Sequence, residues 1–352
     1  MLNIKELLTM TIAKKASDLH LVVGTPAYLR VDGKLAAVSE EVITAASAKD
    51  LIFPLLSPEQ KDKFLVNKEL DLSVAFGELG RFRVNVYFQK GTIAAELRLI
   101  GDKIKSIEEL NLPKICIELA ELRHGFVLVT GPTGTGKSTT LAAIINRINQ
   151  NRAEHILTIE DPIEYIYKPI KSIISQREMH GDTHGWTVAL RAALREDPDV
   201  VLVGEMRDYE TIAAALTVAE TGHLVFATLH TNSAAQTIDR IVDVFPEHQQ
   251  GQVRMQLSST LSAVISQRLI PAIGSGRVAA MEILLGTNAV KTSIREGKSH
   301  LINNVIQTSG DLGMRSLEQD LANLVNTGKV DLKTAQEYCL NPNDLLRLVK
   351  GR

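Results

Sequence analysis

The sequence predicts a two-part α/β chain: a shorter α+β unit, then a mostly parallel sheet wrapped by helices, then a helical tail. Three observations predict it. The chain has 352 residues, which at about 150 residues per domain suggests two domains with some chain left over. From His124 onward, short apolar runs at 126–130, 156–159, 200–203 and 224–228 alternate with longer helical stretches, the pattern of a parallel sheet covered by helices. Between the first of these runs and the helical run 139–148, residues 131–138 spell GxxxxGK[ST].

In chain order, residues 3–15 place Ile4, Leu7, Leu8, Thr11 and Ile12 near helical spacing, and Ser17-Asp18 punctuates the end of that helix. Strand-like runs follow at 19–23 and 28–36. The second folds back at Asp32-Gly33, a dipeptide suited to a tight hairpin turn. Ser57-Pro58-Glu59-Gln60 starts a helix, with Ser57 as cap and Pro58 in first position. Runs 70–76, 81–89 and 92–100 complete an antiparallel sheet. The expected organisation is a first domain at 1–100, a polar linker at 101–113, the parallel-sheet domain at 114–273, and a helical region at 274–352. That last region begins at Gly274-Ser275-Gly276 and includes one bounded helix closed by Gly328.

Composition narrows the function classes. With 45% hydrophobic and 23% charged residues, the chain is neither disordered nor fibrous. The 39 basic and 41 acidic residues leave a net charge of −2, so nucleic acid is not an expected partner. No run reaches the 18 to 20 apolar residues of a membrane span, and the opening residues 1–16 carry Lys5, Glu6, Lys14 and Lys15 without a cleavage pattern, so cytoplasmic residence is expected. Cys116 and Cys339 stand alone, which excludes a disulfide framework and a four-thiolate zinc site.

The strongest signal is Gly131-Pro132-Thr133-Gly134-Thr135-Gly136-Lys137-Ser138, followed by Thr139. Glycines let backbone N–H groups turn inward around a β-phosphate, Lys137 places a point charge near the β- and γ-phosphates, and Ser138 can ligate Mg²⁺. The following helix adds a favourable dipole for anions. The four fixed positions arise by chance in about one chain of this length per hundred, before the strand and helix context is required.

Acidic groups flank it. The apolar run 200–203 leads into Gly204-Glu205, a Walker B segment in which glycine stands where many P-loop enzymes have aspartate. Another strand end carries Thr158-Ile159-Glu160-Asp161-Pro162-Ile163-Glu164. In doubly wound sheets ligands gather outside the carboxyl ends of the strands, so these carboxylates are expected near the phosphate loop, one of them orienting or deprotonating the attacking water. His223 and His230 bracket the strand 224–228; a histidine there can sense the γ-phosphate, and zinc ligation is disfavoured without thiolates. In the first domain, Arg81-Phe82-Arg83-Val84-Asn85-Val86-Tyr87-Phe88 alternates cleanly, putting Arg81, Arg83 and Asn85 on one face. This reads equally as a wet strand face or as arginines that reach a phosphate, with Arg98 as a third candidate.

With these residues assembled, the chain resembles the secretion ATPase superfamily of type II secretion and type IV pili. The resemblance runs from Ser17-Asp18-Leu19-His20-Leu21 and Arg30-Val31-Asp32-Gly33 through the phosphate loop, the aspartate box at 158–164, Gly204-Glu205-Met206-Arg207-Asp208 and the histidine box at 221–230, to Leu312-Gly313-Met314. It implies a PAS-like N-terminal domain joined to a RecA-like P-loop ATPase domain, assembled as a homo-hexamer that uses ATP and Mg²⁺. It also implies that nucleotide lies between the domains, with arginines matching Arg81, Arg83 and Arg98 supplied to it. Glu164 is favoured as the water-activating carboxylate, with Glu160 as the rival.

Within the superfamily the retraction motors are the nearer pattern. Assembly and secretion relatives usually carry an extra N-terminal domain and a four-cysteine insertion, and Ala289-Val290-Lys291-Thr292-Ser293-Ile294-Arg295-Glu296 resembles a late motif of retraction motors, departing at Val290, Lys291, Thr292 and Ser293. The implied partners are an inner-membrane pilus platform protein, which would place the ring at the cytoplasmic side of that membrane, and a paralogous pilus ATPase. The alternatives are an accessory or regulatory ring with little turnover of its own, and a RecA-like nucleic-acid translocase, which the charge disfavours.

Overall fold

The computed structural model describes residues 3–31, 33–77, 80–100 and 104–350. Asp32 of the expected hairpin turn, and 101–103 at the start of the expected linker, lie outside the described residues. The chain divides into two compact units: Met1–Lys103 with Pro162–Ile166, and Ile104–Asp161 with Tyr167–Arg352.

The first unit is an antiparallel sheet with helices on one face. Helix α1 (Ile4–Ala13) forms because Asn3 caps it, accepting from the Lys5 N–H at 2.9 Å, and because Ile4, Leu7, Leu8 and Thr11 fall on one buried stripe. Strands β1 (Asp18–Leu21), β2 (Pro26–Val31) and β3 (Lys34–Val42) follow, then helices α2 (Ala45–Ile52) and α3 (Pro58–Asn67). As expected, Ser57 caps α3, with Gln60 completing a reciprocal capping box and Pro58 in the first turn. Strands β4 (Glu69–Ala75), β5 (Arg81–Gln89) and β6 (Thr92–Ile100) complete the sheet in the order β3-β2-β1-β6-β5-β4. Helix α2 is absent from the sequence reading; its eight residues carry too few apolar repeats to stand out.

On the covered face Leu7, Leu8, Leu51, Ile52 and Phe64 pack with Leu19, Leu21, Leu29, Phe82, Val84, Val86 and Leu97. The period of two along β5 then forces Arg81, Arg83 and Asn85 onto the opposite, polar face.

The second unit begins with α4 (Ile115–Glu121), β7 (Gly125–Thr130), α5 (Lys137–Asn151), β8 (His155–Glu160), β9 (Ile173–Glu178), α6 (Trp186–Ala193), β10 (Val200–Val203), α7 (Tyr209–Glu220) and β11 (Leu224–Leu229). It continues with α8 (Ala234–Asp243), α9 (Glu247–Thr260), β12 (Leu261–Pro271) and β13 (Arg277–Leu285). The sheet order is β13-β12-β7-β11-β10-β8-β9, all parallel except β13, as the alternation of apolar runs and helical stretches predicts. Strands β7, β10 and β11 are buried at every residue, which is why they read as unbroken apolar runs rather than alternating ones. Phe126, Leu128, Val201, Val203, Val225 and Ala227 pack against helices on one face.

One boundary is corrected. Gly274-Ser275-Gly276, read as the entry to a helical region, is the turn between β12 and β13, which pair from Ala263–Leu285 to Pro271–Arg277. Both strands are largely buried and show no regular alternation, so periodicity alone does not distinguish them from helix. Helices dominate only after β13: α10 (Asn288–Arg295), α11 (Ile302–Thr308), α12 (Leu317–Asn326), α13 (Leu332–Tyr338) and α14 (Pro342–Lys350). The last three pack on Ile270 and Ala280 in a small core of their own. No helix among the described residues is long and apolar enough to cross a membrane.

Strand β13 also carries a buried acid. Glu282 accepts the N–H of Ala234, the first residue of α8, at 2.6 Å. Burial pushes its carboxyl from an ordinary 4.5 up to about 7; Glu318 adds to the rise, and the Ala234 N–H and Arg268 oppose it without cancelling it. Because the folded value exceeds the unfolded one, the stability this group supplies is present below about pH 4.5 and is lost as pH rises through about 7, a change of about 3 kcal/mol. We expect Glu282→Gln to lose this slope and to melt above the wild type at pH 8. Paired melting curves at pH 5 and pH 8 with the same spacing between the two proteins would refute this.

Candidate nucleotide-binding site

The site grows from the carboxyl edge of the parallel sheet. Registers place Thr130 beside Leu229, Ala227 beside Val203, and Val203 beside Ile159, so the chain leaves β7, β11, β10 and β8 along one edge. The phosphate loop, His230, Glu205 and Glu160 follow directly from those four strand ends. Strands spaced about 4.8 Å apart put β10 roughly 10 Å from β7, with β11 between them.

The loop from Gly131 to Gly136 turns sharply enough to need its glycines. Gly131 has φ of 141°, and a Cβ there would collide with the backbone carbonyl of Gln267 on the adjacent β12. Thr135 is buried and donates its hydroxyl to the Pro132 carbonyl at 2.9 Å, whereas Pro132, Thr133 and Gly134 are exposed. Lys137, the first residue of α5, is 8% exposed, and its ammonium donates to the carbonyls of Gly131 at 2.8 Å and Pro132 at 3.0 Å. Ser138 and Thr139 follow in the first turn of α5, where the helix dipole favours anions. Glycine cradle, buried ammonium, helix N-terminus and a hydroxyl at Ser138 fit a phosphate with its Mg²⁺.

The Walker B segment divides its duties residue by residue. Gly204 is glycine because a Cβ would sit 3.2 Å from both the Glu160 Cα and the Ile159 carbonyl. Glu205, 14% exposed, pairs with Arg207 at 2.6 Å, and one of its oxygens lies 3.6 Å from His230 Nε2. Met206 enters the core, and Asp208 caps α7 by accepting the Thr211 N–H at 2.8 Å. The Thr228 hydroxyl donates to the Gly204 carbonyl, tying β11 to this turn.

At the end of β8, Glu160 is 7% exposed and accepts the Thr158 hydroxyl at 2.7 Å. Asp161 and Glu164 are exposed, and Glu164 falls in the segment that groups with the first unit. His223 is separated from these groups. It precedes β11 at the amino edge of the sheet, and its Nδ1–H donates to the Val218 carbonyl at 3.0 Å. At about 3.3 Å per residue, the six residues of β11 put roughly 20 Å between the two histidines. The two histidines of the motif are thus apart within this chain: His230 is at the site edge, and His223 closes the turn after α7.

On the polar face of the first unit, Arg83 and Arg98 are direct cross-strand neighbours. Arg98 donates to Asp18 at 2.7 Å and to Glu96 at 3.1 Å, while Arg81 donates to the Ser73 hydroxyl. The Asp18 hydrogen bond raises the Arg98 value; in Asp18, burial pushes the carboxyl up, and bonds from Arg98 and Ser17 outweigh it, holding it below the usual range. Asp18, His20 and Glu96 converge within 4.8 Å, but Arg98 already engages both carboxylates, so the group holds a guanidinium rather than a metal. Arg83 is exposed.

Sequence reasoning missed Gln267, which donates to the Thr135 carbonyl at 2.6 Å and accepts from the Thr140 hydroxyl at 2.7 Å. A signal existed: Ser266-Gln267-Arg268 interrupts an apolar run, and polar groups in a buried strand must have partners.

Comparison with known proteins agrees with this geometry. The type II/IV secretion system protein family matches residues 2–309. A type IV pilus retraction ATPase, PilT, from Pseudomonas aeruginosa is 47% identical over 97% of this chain and all of its own length. A twitching motility protein of Neisseria gonorrhoeae is 46% identical over 96% of this chain and 90% of its own. The type IV pilus ATPase PilU of Pseudomonas aeruginosa is 37% identical over 99% of this chain and 92% of its own. A crystal structure of the pilus retraction motor PilT with bound ADP superposes with a TM-score of 0.93 at 45% identity, covering 99% of this chain and all of that one. The chain is thus an ATPase that belongs to the type II/IV secretion system protein family.

Proposed function

We propose that this chain assembles as a cytoplasmic hexameric motor that hydrolyses ATP to power retraction of a type IV pilus, acting through a platform protein of the inner membrane. The observation that carries the reading is the convergence of the phosphate loop, Glu205, Glu160 and His230 on one sheet edge, in a chain similar over its whole length to retraction ATPases. Higher similarity to PilT than to PilU favours a motor over an accessory ring.

In the proposed cycle Lys137 and the loop N–H groups hold the β- and γ-phosphates, and Ser138 would hold Mg²⁺, which when bound would supply positive charge for the phosphates. Glu164, with Glu160 and Glu205 as rivals, takes a proton from the attacking water, whose oxygen bonds to the γ-phosphorus as the bond to the ADP oxygen breaks. His230, close to Glu205 on the strand beside the phosphate loop, senses the γ-phosphate. Arginines of the first unit, Arg83 foremost, stabilise charge on the transferring phosphoryl group.

Deletion of the gene in its host is expected to leave surface pili in excess and abolish twitching. Wild-type protein restores motility and Glu205→Gln does not. Loss of pili on deletion would instead assign the chain to assembly.

A further inference from the structure

We infer that Gln267 is a positioning residue for ATP binding: its amide, reaching from the neighbouring strand, fixes the shape of the phosphate loop. The inference deepens the proposed function and rests on its assignment of the loop to ATP.

Gln267 is 3% exposed, on β12, one residue beyond Ser266, which pairs in register with Thr130 at the end of β7. Its Nε2 donates to the Thr135 carbonyl at 2.6 Å, and its Oε1 accepts the Thr140 hydroxyl at 2.7 Å. One amide therefore bridges the loop, at Thr135, and the first turn of the helix after it, at Thr140. Its backbone carbonyl lies against Gly131, where it excludes any side chain, and its Nε2 lies 3.0 Å from where a Cβ on Gly136 would sit. Below it, Ser266 and Thr130 share a hydroxyl hydrogen bond of 2.8 Å. The loop is thus buttressed from β12 at its start, its middle and its helical end.

The role of this brace follows from Lys137. Its ammonium donates to the Gly131 and Pro132 carbonyls, so it is itself one of the bonds that shape the loop. When a phosphate takes that ammonium, those two bonds are given up. The Thr135 hydroxyl and the Gln267 amide remain to keep the N–H groups converging on one point. Only a glutamine serves both ends: a donor must face a carbonyl and an acceptor must face a hydroxyl, which neither glutamate nor a hydrocarbon provides. Loss of the brace leaves the Thr135 carbonyl unpartnered and the loop less preorganised, a cost borne by binding rather than by the chemical step.

The experiment is steady-state ATP kinetics on purified full-length Gln267→Met, Thr140→Val and the double variant, with melting curves. Gln267→Met, which removes both hydrogen bonds of the bridge, is expected to raise KM for ATP about tenfold, with kcat within about threefold of wild type. Thr140→Val raises KM less, and the double variant is no worse than Gln267→Met, because both changes break one bridge. Unchanged KM in folded Gln267→Met, equal losses in kcat and kcat/KM, or additive effects would overturn the inference. If Gln267→Met fails to fold, the KM of Thr140→Val decides alone, and an unchanged value overturns it. Lys137→Ala run alongside separates the two levels. Turnover near wild type there removes the loop from ATP, whereas its loss beside an unaffected Gln267→Met rejects only the brace.

Discussion

Lys137→Ala is expected to lower ATP turnover by a factor on the order of 10²–10³, with only a small change in melting temperature. Lys137 places its cation in the cradle, 8% exposed at the start of α5, and its Nζ is within hydrogen-bond reach of the loop that would face the phosphates. A charge fixed where the transition state becomes more anionic acts on the barrier more than on the ground state. The structural loss includes two hydrogen bonds to the carbonyls of Gly131 and Pro132, about 1 kcal/mol each. Turnover within about threefold of wild type, measured at saturating ATP and Mg²⁺, would take the loop out of the reaction.

Arg83→Ala and Arg98→Ala are expected to fail in different ways. Arg83 is exposed, directly opposite a second arginine across the β5–β6 ladder, and like charges so placed cost stability unless an anion lies against them. Its removal should leave melting unchanged or slightly raised and lower kcat by about 10³-fold, as loss of an arginine finger does. Arg98 is held at 2.7 Å by Asp18, which is itself 3% exposed, so removing it strands a buried carboxylate. With the guanidinium 61% exposed and Arg30 still 3.5 Å away, the expected cost is about 1 kcal/mol. Rate and melting curves on both variants check this. A folded Arg83→Ala protein with wild-type kcat would end the assignment of a finger to that residue.

Much of this was legible because local chemistry and tertiary position agreed. The strand, glycine loop and helix around Lys137, the capping box at Ser57 and Gln60, and the alternation of β5 are each written within a few neighbouring residues. What failed to show depended on residues far apart in sequence. Strands β12 and β13 carry buried runs whose conformation is decided by pairing, β12 with β7 and β13 with β12, and propensity does not report pairing. Gln267 acts on residues more than a hundred positions away, which no local pattern encodes. His223 and His230 look equivalent as a motif, yet the strand between them carries them to opposite edges of the sheet.

The Walker B turn has a mechanical consequence. Glu205 stands between Gly204, pressed against β8, and Met206, anchored in the core, with Asp208 fastened to the start of α7. Its carboxylate is therefore carried on a turn that is anchored on both sides. Moving that turn would cost the packing of Met206 and the cap at Asp208, so contacts to Glu205 are made and broken more cheaply by turning its side chain or by moving the groups it meets.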